Sequence, residues 1–261
     1  MDEVTLKALN VPADLRAHEL ESSAQRIADM KIQFDQPYVV VNIPAASVEA
    51  VENQRVVQRH TAIAGKSDSP SPQLTAAIQG ITINPTWTIP HAIVESELIP
   101  KLKKGPHYLG RAKLVVLDRN GRKVRHIHWS RAASLLTFRQ EPGSKNPLGK
   151  IRIDMPNRDT VYMHDTPMQR LFADDYRFLS HGCVRVDGIY DLASWLLVSA
   201  NSQGNWTAEA IADAARGLDQ KKIKLSKTVP VAWVYLDAWE SADGVVHFAP
   251  DVYDLDDAGT K

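Results

Sequence analysis

Only one cysteine, Cys183, stands among the 261 residues. That scarcity excludes an internal disulfide and any zinc centre built on several thiolates, so any thiol chemistry rests on one sulfur. No run approaches the roughly 18 consecutive apolar residues of a membrane-spanning helix. The amino-terminal Met1-Asp2-Glu3-Val4-Thr5 has no basic stretch leading into an apolar one; no export leader is visible, and one that function requires is expected to have been removed. Neither sign of charge is in excess, with 31 Lys and Arg against 31 Asp and Glu, so nucleic acid is not an expected partner. Repeats and low-complexity tracts are absent as well. What remains is a composition 44% hydrophobic and 24% charged, ordinary for a globular chain with a sizeable core.

Residues 14–30 place Leu15, Leu20, Ala24, Ile27 and Met30 at near-helical spacing after Pro12, which predicts an amphipathic helix packed on the main body. From residue 38 the pattern becomes short β-branched stretches broken by Pro, Asn and Gly, at 38–44, 47–51 and 55–63, the signature of a β meander. A loop at 67–72 and a strand at 81–83 follow. Residues 96–103 predict a helix and 113–117 a strand. A basic segment, 119–139, carries His126, His128 and Trp129 and reads as an insertion over the sheet; His126-x-His128 is too sparse for a metal site. Strands are expected at 150–154 and 160–164, helices at 188–199 and 207–218 with Thr207 as N-cap, and late strands around 229–235 and 245–248. The last residues read as a loose acidic tail.

A lone cysteine is more often a small buried hydrophobe than a nucleophile, but the neighbours of Cys183 point the other way. His181 and Gly182 precede it directly; glycine lets the backbone bend sharply and leaves amides free to face a ligand, as an oxyanion site needs. His164 ends an apolar stretch seventeen residues before His181. A thiol with an ordinary pKa of about 8.5 is mostly protonated at neutral pH and needs an imidazole or a cation nearby to react well. The competing reading of His164 is a satisfied core histidine.

The order His164, fifteen intervening residues, Ser180-His181-Gly182-Cys183 and then Arg185, with Asp165-Thr166-Pro167 after the first histidine, resembles the signature of YkuD-type L,D-transpeptidases. The resemblance spans roughly residues 8–256, through segments at 38–45, 84–90, 100–109, 149–156, Leu171-Phe172 with Arg177, and 230–253. It is similar to the large periplasmic branch found in diderm bacteria. That branch usually carries a leader and a peptidoglycan-binding domain, neither recognisable here, and Ser180-His181 stands where some members have Ser-Ser.

The resemblance implies a mainly β (α+β) fold, a YkuD-type β-sandwich or flattened barrel with flanking helices and an inserted capping lid. Its parts would be an N-terminal helical segment at 1–36, a catalytic domain at 37–256 with the lid at 95–146, and a tail at 257–261. It implies acyl transfer from a peptidoglycan tetrapeptide stem, with Cys183 as nucleophile and His164 as its base. Backbone amides around His181, Gly182 and Cys183, with the Tyr162 hydroxyl, would serve the oxyanion, Ser180 would belong to the catalytic motif, Arg185 would position a substrate carboxylate, and Trp87 would lie near the substrate. Arg185 as an internal salt bridge and Trp87 as a core residue are the structural alternatives. No cofactor or metal is needed. Peptidoglycan stems and carbapenem inhibitors are the implied ligands, and the periplasm the implied location. The same site with water as acceptor would be an L,D-carboxypeptidase or a hydrolase releasing wall-anchored protein. A silent wall-binding module would have lost the cysteine or the histidine, and a papain-like protease requires a catalytic histidine after the cysteine, where none occurs until His247.

Overall fold

The computed structural model describes residues 3–256 except 33, 35, 36, 106, 125, 126 and 128–134. His126, His128, Trp129 and the tail at 257–261 therefore lie outside the described residues.

Strands β1 (Tyr38–Asn42), β2 (Ser47–Glu52) and β3 (Arg55–Gly65) form the expected meander, with β1–β2 and β2–β3 antiparallel. β3 is long enough to serve three neighbours. Its first part pairs with β2, Ala62 and Ile63 pair with β11 (Val184–Val186), and Ala64 and Gly65 meet β10 (Phe178–Ser180). The strand order runs β3, β11, β9 (Met163–His164), β8 (Ile151–Asp154), β4 (Leu74–Ile83), β12 (Lys221–Val234), β1, β2 and back to β3. Eight strands thus close into a barrel, with β10 added at its side. Closure leaves no unpaired edge inside the ring. The sandwich-or-barrel expectation resolves to a barrel because β3 bends from one partner to the next.

Alternation along these strands fills the core with Val39, Val41, Val48, Ala50, Ile78, Ile81, Ile153, Met163, Val184 and Val186, all essentially buried. The helix Ile189–Ser199 adds Ile189, Leu192, Ala193, Leu196 and Leu197 to the same cluster. A second cluster, Ile89, Val94, Leu98, Leu102, Val116 and Phe138, belongs to a separate small unit. It is built from helical turns between His91 and Lys104 and from a three-stranded sheet, β5 (Trp87–Thr88), β7 (Thr137–Gln140) and β6 (Leu114–Leu117). Its own core lets this unit present a packed face to the barrel.

Several expectations change. The strand expected at 160–164 is only Met163–His164, because Thr160 has a positive φ of 55° and the Asn157 side chain bonds both the N–H and the carbonyl of Val161. The helix from Thr207 ends at Ala215, although Thr207 does cap it through its hydroxyl. The helix Ala13–Met30 is present but docks through polar groups: Ser23 and Arg26 bond Asp237, while Leu15, Leu20 and Ile27 are exposed. Periodicity located the helix but not the face that packs, since Ser23 and Arg26 find a buried carboxylate that hydrophobicity does not register.

Candidate active site

β9 lies between β8 and β11, and the register sets His164 opposite Arg152 on one side and Arg185 on the other. Met163 and Val184 point into the core. Strand alternation therefore turns Tyr162, His164, Cys183 and Arg185 to the opposite face. All four line a cavity of about 600 Å³ together with Ser180, His181 and Trp87. The other wall comes from the small unit, through Ile89, Glu97, Leu98, Lys101, Tyr108 and Arg111. Every residue given a catalytic or substrate-binding role from the sequence except Gly182 thus lines one cavity, and Gly182 is the buried link between two of them.

His164 is 5% exposed, and its Nδ1 lies 2.5 Å from the Asp165 carbonyl oxygen. That contact assigns the proton to Nδ1 and leaves Nε2 as the acceptor. Burial, reinforced by the charges of Arg185 and Arg152, lowers its pKa to about 3 despite the opposing Asp165 bond. The imidazole is neutral at physiological pH. Burial pushes the Cys183 thiol up, offset in part by hydrogen bonds from the Tyr162 backbone N–H and hydroxyl and by Arg185 and Arg152. The two groups therefore rest as neutral thiol and neutral imidazole, the protonation states from which Nε2 would accept the thiol proton once the two meet. The Tyr162 hydroxyl itself is held protonated well above its ordinary range, chiefly by burial and then by the nearby Cys183 sulfur. Trp87 lines the same cavity as Tyr162.

The Asp165 carbonyl is held where His164 needs it by a compact turn. The Asp165 carboxylate accepts the Lys150 N–H at 2.7 Å and a Gln169 amide hydrogen at 3.0 Å. Gly149, at φ +60°, makes room for it: a Cβ there would sit 2.3 Å from Asp165 Oδ2.

Ser180 and His181 differ in what they touch. Ser180 accepts the Gly182 N–H at 3.1 Å and donates to the Cys183 carbonyl at 2.5 Å, so it folds the loop around the cysteine. This bond removes the Gly182 amide from the expected oxyanion donors. His181 is exposed, and its Nε2 lies 3.1 Å from Glu97 Oε1 on the opposite wall. Glu97 also bonds Lys101 at 3.1 Å, which holds its carboxyl below the usual range.

Arg185 is half-buried, and no described carboxylate lies within ion-pair distance of it. The salt-bridge alternative therefore finds no described partner, and the guanidinium is available to the cavity. Sequence reasoning did not single out Arg152, Gly149, Glu97 or Ser71. Arg152 stacks over the Tyr162 ring at 5.3 Å; its signal was alternation with Asp154 on a strand already expected.

Residues 36–211 match the L,D-transpeptidase catalytic domain, YkuD. A Haemophilus influenzae protein provisionally named an L,D-transpeptidase is 28% identical over 221 residues, which are 84% of this chain and 44% of that protein. The chain thus spans less than half of that relative. Among solved structures, an L,D-transpeptidase from Mycobacterium smegmatis is 14% identical at a TM-score of 0.36, over 76% of this chain and 58% of that one. L,D-transpeptidase 3 from Mycobacterium tuberculosis, in complex with a faropenem-derived adduct, is 10% identical at a TM-score of 0.36, over 76% and 60%.

Proposed function

Because the chain belongs to the L,D-transpeptidase catalytic domain family, we propose that it is a peptidoglycan L,D-transpeptidase in which Cys183 is the nucleophile and His164 the base. The observation that carries this reading is the shared cavity: a thiol, a buried neutral imidazole whose Nδ1 is committed to the Asp165 carbonyl, and a guanidinium with no carboxylate partner among the described residues all line it. His164 Nε2 takes the thiol proton while sulfur attacks the carbonyl between the third-position diamino acid and the terminal D-alanine of a tetrapeptide stem. The tetrahedral intermediate collapses, the C–N bond breaks, and the D-alanine amine leaves with the proton from His164. An acceptor amine then attacks the thioester, gives its proton to His164, and Cys183 is regenerated as thiol. Arg185, which lines the cavity, favours the anionic intermediate.

The substrate class fits the charge of the walls. Lys101, Arg111, Lys145 and Arg185 line the cavity against the single acidic Glu97, which suits a stem rich in carboxylates. Carbapenems would acylate the same sulfur, and a wall substrate places the protein in the cell envelope. Arg185→Gln is expected to raise KM for a tetrapeptide stem roughly ten- to a hundredfold, the cost of one charge-assisted hydrogen bond. An unchanged KM with a lowered unfolding midpoint would return Arg185 to a purely structural role.

The reading is tested by incubating the protein with disaccharide tetrapeptide and analysing products by mass spectrometry. Released D-alanine with a product joining two third-position diamino acids supports it. D-alanine without the joined product makes water the acceptor and the protein an L,D-carboxypeptidase. No release overturns it.

A further inference from the structure

Ser71 lies in the loop after β3, far in sequence from Cys183, yet it is 3% exposed and its hydroxyl donates to the Gly182 carbonyl at 2.8 Å. The same oxygen accepts the Gly65 N–H at 2.9 Å. The Tyr253 hydroxyl fixes this arrangement from the other side. It accepts the Ser71 N–H at 3.1 Å and donates to the Gly65 carbonyl at 2.6 Å, while the Tyr253 N–H bonds the Tyr235 hydroxyl at 2.9 Å. A second tie, from the Lys66 N–H to the Ser180 carbonyl at 3.1 Å, binds the two loops together. Ser71 thus joins the start of the nucleophile turn to the closing segment of the chain.

In a trans peptide the carbonyl and the following N–H point in opposite directions. Holding the Gly182 carbonyl against Ser71 therefore turns the Cys183 N–H the other way, away from Ser71. That amide has no acceptor among the described residues, whereas the Gly182 N–H is taken by Ser180 and the Val184 N–H by the Tyr162 carbonyl. Gly182, at φ +102°, supplies a conformation that a side chain would strain. Among the described residues the His181 and Cys183 N–H groups are therefore the donors of this turn left for an oxyanion on the attacked carbonyl, and the Cys183 N–H is the one whose peptide plane Ser71 holds.

We propose that Ser71, braced by Tyr253, is a positioning residue that aims the Cys183 N–H as an oxyanion donor. The proposal rests on the transpeptidase reading and specifies how its site is held. Without the Ser71 hydroxyl the Gly182–Cys183 peptide plane is free to rotate, and acyl transfer loses a fixed donor while the thiol keeps its surroundings.

Two reactions of the same sulfur separate these effects. Acylation by a carbapenem passes through a tetrahedral oxyanion; alkylation by iodoacetamide does not. Ser71→Ala is expected to lower the maximal acylation rate about ten- to a hundredfold, below the 10²–10³ for outright removal of an oxyanion donor. The half-saturating carbapenem concentration and the alkylation rate should stay within about twofold of wild type. Tyr253→Phe should give a smaller loss of the same pattern, and Ser71→Thr should recover part of the rate. Ile211→Ala, in the core away from the cavity, controls for stability alone. Equal loss of acylation and alkylation, a loss matched by Ile211→Ala, or no loss in Ser71→Ala overturns the proposal. A wild-type protein that is alkylated but never acylated instead defeats the transpeptidase reading, and this proposal with it.

Discussion

Replacing His164 by Gln is expected to slow acylation of Cys183 by about 10²- to 10⁴-fold, the span that a positioned general base contributes. Glutamine keeps most of the volume and can still donate to the Asp165 carbonyl, so the barrel should stay folded and substrate affinity should change little. The pH dependence of the wild type sharpens the expectation. The His164 pKa is lowered to about 3 and the Cys183 thiol is raised, so the neutral thiol–imidazole pair prevails through the whole physiological range. Acylation should therefore be flat from about pH 5 to pH 8, since no member of the pair titrates there. A rate that falls below pH 6.5, and still falls after His181→Gln, would mean that His164 titrates as an ordinary imidazole and is not the neutral base described here.

Gly149→Ala should be severe at a position that touches no substrate. A left-handed φ of +60° costs a non-glycine residue about 1–2 kcal/mol. The added Cβ would also meet the Asp165 carboxylate at 2.3–2.6 Å. Moving Asp165 also leaves the half-buried Lys150 N–H without its 2.7 Å partner, worth a further ~1 kcal/mol. A loss of at least ~2 kcal/mol in urea unfolding is the expected result. Acylation should fall with it, because the Asp165 carbonyl fixes the His164 tautomer. Pairing Gly149→Ala with Asp165→Gly removes the clashing carboxylate and keeps the carbonyl. The double variant should then be less destabilised than the sum of the two singles, and strict additivity would show that the clash is not the cause.

The residues of the catalytic proposal were legible because their chemistry is carried by rare types at fixed spacing: one cysteine, two histidines and a glycine between them. The β-rich class was legible from alternating β-branched stretches, and the N-cap at Thr207 from its hydroxyl ahead of an apolar helix. What stayed hidden depends on pairings across the chain. Ser71 sits in a stretch that reads only as a Ser- and Pro-rich loop, and nothing local says that barrel closure brings it to Gly182. Tyr253 reaches the same point from the turn at 252–253. Glu97 meets His181 only because the small unit faces the barrel. Strand β12 begins at Lys221, earlier than expected, because Lys221 to Lys224 pair with Gly80 to Ile83 while their charged side chains face outward. The packing face of the helix Ala13–Met30 was misread for a related reason: a buried Asp237 attracts Ser23 and Arg26, and an attraction to one distant carboxylate leaves no periodic trace.

The most direct test of the account is the intact mass of wild type and Cys183→Ala after incubation with a carbapenem. The account predicts one drug-mass adduct on wild type, carried by the peptide containing Cys183, and none on the variant. A folded wild type that stays unmodified, or an adduct that survives in Cys183→Ala, would contradict it.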